Sequence, residues 1–213
     1  MRPNVLCLAL ALLLGTAHIF PLSAQTPAGD PARGKIRSKA EQCQECHGEF
    51  GISTAEHYPK LAGQNLAYIR KQLRDFQSGA RKNEIMTAMA AELSPQDIAD
   101  IAAWFSSAPR MSAEHSFADR AGQALFEKGD PARALPACAS CHGEKGLGGG
   151  TDVDPAPVLS GQRELYLTSQ LASWRVDGRI NSSGGVMNGV AHGLGDSDIF
   201  ALSRYLAGLR ASE

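Results

Sequence analysis

Two pentapeptides constrain this chain more than anything else in it. Cys43, Cys46 and His47 stand in one C-x-x-C-H, and Cys138, Cys141 and His142 stand in another. C-x-x-C alone serves a zinc half-site, a redox dithiol or a disulfide; with His next, it is the attachment signal of c-type haem. Thiols at i and i+3 near a helix end point the same way, so both can add to the vinyl groups of one porphyrin. The residue after them carries an imidazole in position to ligate the iron. The rival readings fit less well. A four-cysteine zinc site brings its pairs about 15 to 20 residues apart, whereas these lie 95 apart. A thioredoxin-like dithiol needs a βαβ context that the pattern lacks, and a disulfide gives no reason for histidine to follow both times. Two covalently bound haem c groups are therefore expected.

The first residues stand apart from this. Arg2 precedes an apolar run from Val5 to Gly15 that continues to Phe20, and Pro21-Leu22-Ser23-Ala24-Gln25 supplies small residues. This pattern is that of a secretory signal peptide over 1–24, cleaved after Ala24; an uncleaved anchor is the rival, but the run is short for a span. Cys7 leaves with the peptide, so the mature chain keeps only the four motif cysteines, in a compartment outside the cytoplasm. Charge is balanced, Lys+Arg 21 against Asp+Glu 22, which gives no field suited to nucleic acid.

The rest repeats itself. Cys43 matches Cys138 at an offset of 95; "YPKLAGQ" from Tyr58 matches "APVLSGQ" from Ala156 at 98, as do Tyr68 with Tyr166 and Gln72-Leu73 with Gln170-Leu171; "MTAMAAELSPQDI" from Met86 matches "MNGVAHGLGDSDI" from Met187 at 101. Order is kept while the offset grows twice by three, as expected of two homologous units with small loop insertions. The domains are expected at 25–109 and 117–213, with a linker at 110–116.

Ser94, Pro95 and Asp97 supply an N-cap, a helix-starting proline and a first-turn acid. Ile98, Ile101, Ala102 and Phe105 follow at i, i+3, i+4, i+7, and Ile199, Leu202, Ser203 and Leu206 repeat the stripe. Further helices are expected from about Leu66 to Phe76 and from about Glu164 to Trp174. No convincing strand period appears, so the fold class is all-α. Units this small bury a modest core, and a large apolar cofactor in each gives the glycine-rich loops something to pack on.

The register also selects the sixth iron ligand. Met86 and Met187 occupy equivalent positions, each seven residues before the Leu that opens the last helix, Leu93 or Leu194. Met89 aligns with Val190 and is the fallback for the first site; Met111 falls in the linker. Methionine with histidine is the axial pair of electron-carrying cytochromes c. His57, His115 and His192 have no counterpart in the other unit and read as surface or loop residues, His192 being the one near enough to Met187 to compete for iron. A ligating histidine donates its second ring N–H to an acceptor. The blocks holding Pro59 and Pro157 could supply a backbone carbonyl, or could be plain rigid turns.

With these residues in hand, the chain resembles the diheme cytochrome c4 family, from about Gly34 to Leu209. The carrying stretches are both C-x-x-C-H motifs, "PKLAGQ", "YIRKQLRDFQSG" (Tyr68 to Gly79), Met86 to Ser107 and "MNGVAHGLGDSDI". The resemblance implies two tandem class I cytochrome c-type domains related by a pseudo-twofold, each wrapped around a covalently bound haem. It implies axial His47 with Met86 and His142 with Met187, and carbonyls of Pro59 and Pro157 as the acceptors of the histidine N–H. It also implies periplasmic electron transfer toward a haem–copper terminal oxidase, often at the inner membrane, rather than catalysis. The alternative is the diheme subunit of a flavin-containing sulfide dehydrogenase, or a diheme enzyme oxidising a sulfur compound. No cysteine is left over to ligate iron in such an enzyme.

Overall fold

The computed structural model describes residues 27–116 and 119–210. The signal peptide expected at 1–24 lies outside them. Among the described residues, no helix is long and apolar enough to cross a membrane.

Helices dominate. The first half holds α1 (Pro31–Ala40), α2 (Cys43–His47), α3 (Leu66–Ser78), α4 (Glu84–Ala90) and α5 (Pro95–Ser107). The second holds α6 (Arg120–Lys128), α7 (Ala139–His142), a two-stranded hairpin of β1 (Gly149–Gly150) and β2 (Pro155–Ala156), then α8 (Glu164–Arg175), α9 (Val186–His192) and α10 (Asp196–Gly208). The hairpin is too short to leave a period-2 trace in the sequence.

The start signals work as the sequence indicates. The Ser94 side chain takes the Asp97 N–H while Asp97 reaches back to the Ser94 N–H, a full capping box. Gly195 has no side chain, so α10 keeps only the return half, Gly195 N–H to Asp198 Oδ2 at 2.9 Å.

Each half has its own apolar core. Ile98, Ile101, Ala102 and Phe105 of α5 pack on Ile69, Leu73 and Phe76 of α3. Ile199, Leu202 and Leu206 of α10 pack on Phe126 and Leu167. In both halves the opening helix crosses the closing helix at a glycine. A Cβ on Gly34 would stand 1.9 Å from the Asp100 carbonyl oxygen, and one on Gly122 would stand 2.0 Å from that of Ala201. Only glycine allows this approach of the two backbones.

Asp100 sets the first crossing apart from the second. Its buried carboxylate accepts from Asp30 N–H at 2.7 Å, Gln96 Nε2 at 2.8 Å and Arg33 Nε at 2.9 Å. The hydrogen bond from Arg33, with the others, holds its pKa below the usual carboxylate range. A depressed native pKa contributes stability that is present above the unfolded value, about pH 4, and is lost as pH falls through the native one. Asp100→Asn is expected to cost about 1–3 kcal/mol at pH 7. Denaturant unfolding should show the gap between variant and parent closing as pH falls below the unfolded carboxylate value and through the lower native one; a gap independent of pH would contradict the assignment.

Candidate functional site

The first site is built from a short helix and the loop behind it. Cys43 opens α2, Cys46 follows one turn on, and His47 closes the helix. Gly51 O accepts both Leu61 N–H and Ala62 N–H, which folds the loop back under His47. The buried His47 Nδ1 then lies 2.9 Å from Pro59 O. A carbonyl only accepts, so Nδ1 must carry the proton and Nε2 keeps its lone pair. The second site repeats this with Gly146 O taking Leu159 N–H and Ser160 N–H, and with His142 Nδ1 3.1 Å from Pro157 O.

Burial lowers the pKa of both imidazoles, so both are neutral near pH 7. Burial also pushes the thiols of Cys43 and Cys138 up to about 11. Such thiols are poor nucleophiles, the reverse of a redox dithiol. Cys43 and Met86 pack on the first core and Cys138 on the second. Met86 lies in α4, its N–H taken by the Asn83 side chain. Met187 occupies the matching place in α9 and is half-buried, with its N–H on Ser182 Oγ. Met89 is half-buried on α4. Among the described residues, no three His, Cys, Asp or Glu side chains gather around one point, so the two cysteine pairs do not build a shared zinc site.

The donor set suits haem c: two adjacent thiols, a neutral imidazole with a fixed tautomer and an apolar surround, with a thioether in the same half.

The remaining histidines stay outside this arrangement. His57 lies tilted against Tyr58 with ring centroids 4.1 Å apart, His115 lies 3.7 Å from Glu164, and His192 lies 3.1 Å from Asp177.

Reciprocal hydrogen bonds join the two halves. Gln162 takes Lys60 N–H and gives to Lys60 O, both at 2.8 Å. Gln64 takes Val158 N–H at 2.7 Å and gives to Val158 O at 2.9 Å. Lys60 corresponds to Val158 and Gln64 to Gln162 in the repeat, so one contact is made twice about an approximate twofold. Met111 of the linker, 2% exposed, fills a third apolar cluster with Ala62 and Val158. Truncating Gln162 orphans a buried N–H and a buried C=O, each worth about 1–3 kcal/mol. Gln162→Ala is therefore expected to lower stability by about 2–5 kcal/mol in denaturant unfolding of the holoprotein, and Gln64→Ala similarly. A loss below about 0.5 kcal/mol would place these glutamines outside the energetic interface.

A polar cluster lies on the same twofold. Arg81 reaches Gln72 of its own half at 2.7 Å and Tyr166 and Gln170 of the other at 3.0 and 2.8 Å. Arg179 reaches Gln170 of its own half at 2.7 Å and Tyr68 and Gln72 of the other, both at 3.0 Å. Each guanidinium also covers a ring of its own half, Phe76 or Trp174. The repeat pairs Tyr68 with Tyr166 and Gln72 with Gln170. Arg81 and Arg179 share that offset, which is the signal that could have found them. Lys71 and Asp75, bound to Asn181, break the symmetry.

A cytochrome c family model matches residues 31–109 and 120–210. Cytochrome c4 of Pseudomonas aeruginosa is 39% identical over 211 residues, covering 97% of this chain and 99% of that protein. A protein named thiosulfate dehydrogenase electron acceptor, from Stutzerimonas stutzeri, is 35% identical, covering 94% and 95%. The crystal structure of reduced recombinant cytochrome c4 from Pseudomonas stutzeri superposes with a TM-score of 0.78 at 38% identity, covering 86% of this chain and 100% of that one.

Proposed function

The chain belongs to the cytochrome c4 family of cytochromes c, and from that premise we propose that it is an exported carrier passing electrons between respiratory partners in the periplasm, the acceptor being a terminal oxidase. It is an electron carrier rather than an enzyme and holds two covalent haem c groups, on Cys43 and Cys46 and on Cys138 and Cys141. His47 with Met86 and His142 with Met187 are proposed as the axial pairs. The domains are read as 25–109 and 117–213, joined by 110–116, after removal of 1–24.

When bound, haem c supplies a one-electron Fe(III)/Fe(II) couple. The chain does the rest. Pro59 and Pro157 hold the imidazoles in one tautomer and orientation, so Nε2 is presented without a proton. The buried setting of His47 and His142 keeps water from the ligand bond. The interdomain cluster carries Arg81, Arg179 and Lys71 against the single carboxylate of Asp75, a positive surplus that suits the carboxylate side chains of a tetrapyrrole. Gln64 and Gln162 fix the spacing of the two halves.

The observation that carries this reading is the repeated pair of buried imidazoles, each committed through Nδ1 to a prolyl carbonyl directly after two cysteines. Iron held by His47 with Met86, or by His142 with Met187, would have no place left for an added ligand. Carbon monoxide should therefore leave the reduced visible spectrum unchanged; a clear shift would point to catalysis instead. A second reading concerns the donor. The relative named as an electron acceptor of thiosulfate dehydrogenase favours a sulfur-oxidising enzyme feeding electrons to this chain. Reduction by such an enzyme with thiosulfate present, followed at the haem bands, tests it.

A further inference from the structure

We propose that the turn after α8 is the docking face for a redox partner protein whose contact surface has an apolar centre and a lysine- and arginine-rich rim. The proposal rests on the carrier reading and adds the site and the kind of partner.

The repeat isolates the feature. Val176-Asp177-Gly178-Arg179-Ile180 in the second half corresponds to Ser78-Gly79-Ala80-Arg81-Lys82 in the first. The arginines are shared because both enter the interdomain cluster. Around them, serine becomes valine, glycine becomes aspartate and lysine becomes isoleucine. Val176 is 71% exposed and Ile180 63% exposed. The first half makes the same connection with polar residues at both places, so the fold does not require aliphatic ones. Val186, which opens α9, is 51% exposed, but its counterpart Ile85 is 54% exposed, so the asymmetry between the halves rests on Val176 and Ile180.

Asp177 supplies a second observation. It sits at φ 55°, where Gly79 sits at φ 75°. A non-glycine residue there costs on the order of 1 kcal/mol, so the turn carries a strain that glycine would relieve. The turn is also stiffened from behind: Asn188 Nδ2 lies 2.8 Å from Asp177 Oδ1, 2.9 Å from Arg179 O and 3.0 Å from Trp174 O. The surface is thus tied to α9, the helix that carries Met187, and is preorganised for docking.

Charge decides the partner. Among the described residues, Asp177 pairs with His192 and with no lysine or arginine. Arg179 is turned inward to the cluster, and Arg175 is spent on Asp196 at 2.6 Å. Residues 114–213 carry 9 Lys+Arg against 12 Asp+Glu, whereas 25–113 carry 11 against 10. The matching turn of the first half presents the exposed Lys82 instead. A cationic rim around an apolar centre therefore fits the second half and is repelled at the first.

The test exchanges the turns in the full holoprotein. Val176→Ser, Asp177→Gly and Ile180→Lys together give the second half the first half's residues. Stopped-flow electron transfer from the reduced protein to an oxidised lysine-rich monohaem cytochrome c is compared with transfer to ferricyanide, a small anionic oxidant. The exchange should slow the protein reaction at least about tenfold, flatten its salt dependence, and leave both midpoint potentials in place. Ser78→Val, Gly79→Asp and Lys82→Ile in the first half should speed the protein reaction. Unchanged rates, or equal changes with both oxidants, overturn the docking face while leaving the carrier reading intact. A parent protein that cannot pass electrons to either oxidant overturns the carrier reading, and this proposal with it.

Discussion

Replacing Met86 with histidine should lower the midpoint potential of one haem by a few tenths of a volt, within the ~0.8 V that axial ligands command, while the other moves little. A thioether stabilises ferrous iron; a second imidazole favours the ferric state. Met187→His should do the same to the other haem. The control is Met89→Leu, because Met89 shares α4 with Met86 and is also half-buried. It should shift neither potential by more than a few tens of millivolts, on the order of 1 kcal/mol of differential stabilisation. A large effect at Met89 together with a small one at Met86 would transfer the ligand role. Reading the full titration curve matters, since it shows which wave moved as well as that one did.

The second large effect concerns the thioether cysteines. Cys43→Ser with Cys46→Ser should reduce the covalent haem count from two to one, visible in the intact mass of the purified chain. The first half should then be destabilised, because Cys43 and Met86 pack against its core and would lose the cofactor they are proposed to hold. A domain of this size has little stability to spare. Cys138→Ser with Cys141→Ser should produce the mirror result in the second half. Retention of two haems in either variant would contradict the attachment sites.

The residues proposed to hold haem can be picked out in the sequence because their pattern is local. Cys43, Cys46 and His47 lie within one helix, and the repeat supplied a second copy that separated Met86 from Met89. The prolyl carbonyls were named from the family resemblance, and the structure places both within hydrogen-bond distance of the imidazoles. Helix α5 was readable from its cap and its stripe for the same reason.

What joins the halves was not legible, because sequence offsets give equivalence and not contact. Arg81 and Arg179 belong to a residue type that usually stays in water; here they are drawn inward by tyrosines and glutamines of the opposite half. Lys60 is buried with its ammonium on Ser112 O and Gly161 O, although nothing near it in the chain is unusually apolar. Met111 sits in a polar linker yet fills a gap between the two halves. In each case the environment comes from residues about 50 to 110 positions away, beyond the reach of any periodicity.

The two proposed haem sites are tested most directly by a redox titration of the purified, exported protein, followed in the visible spectrum. Two electrons per molecule are expected, in equal shares from two low-spin haems, with the thioether charge-transfer band of the ferric state intact in both. Uptake of fewer than two electrons per molecule, or a high-spin component in either haem, would contradict two sites of this kind.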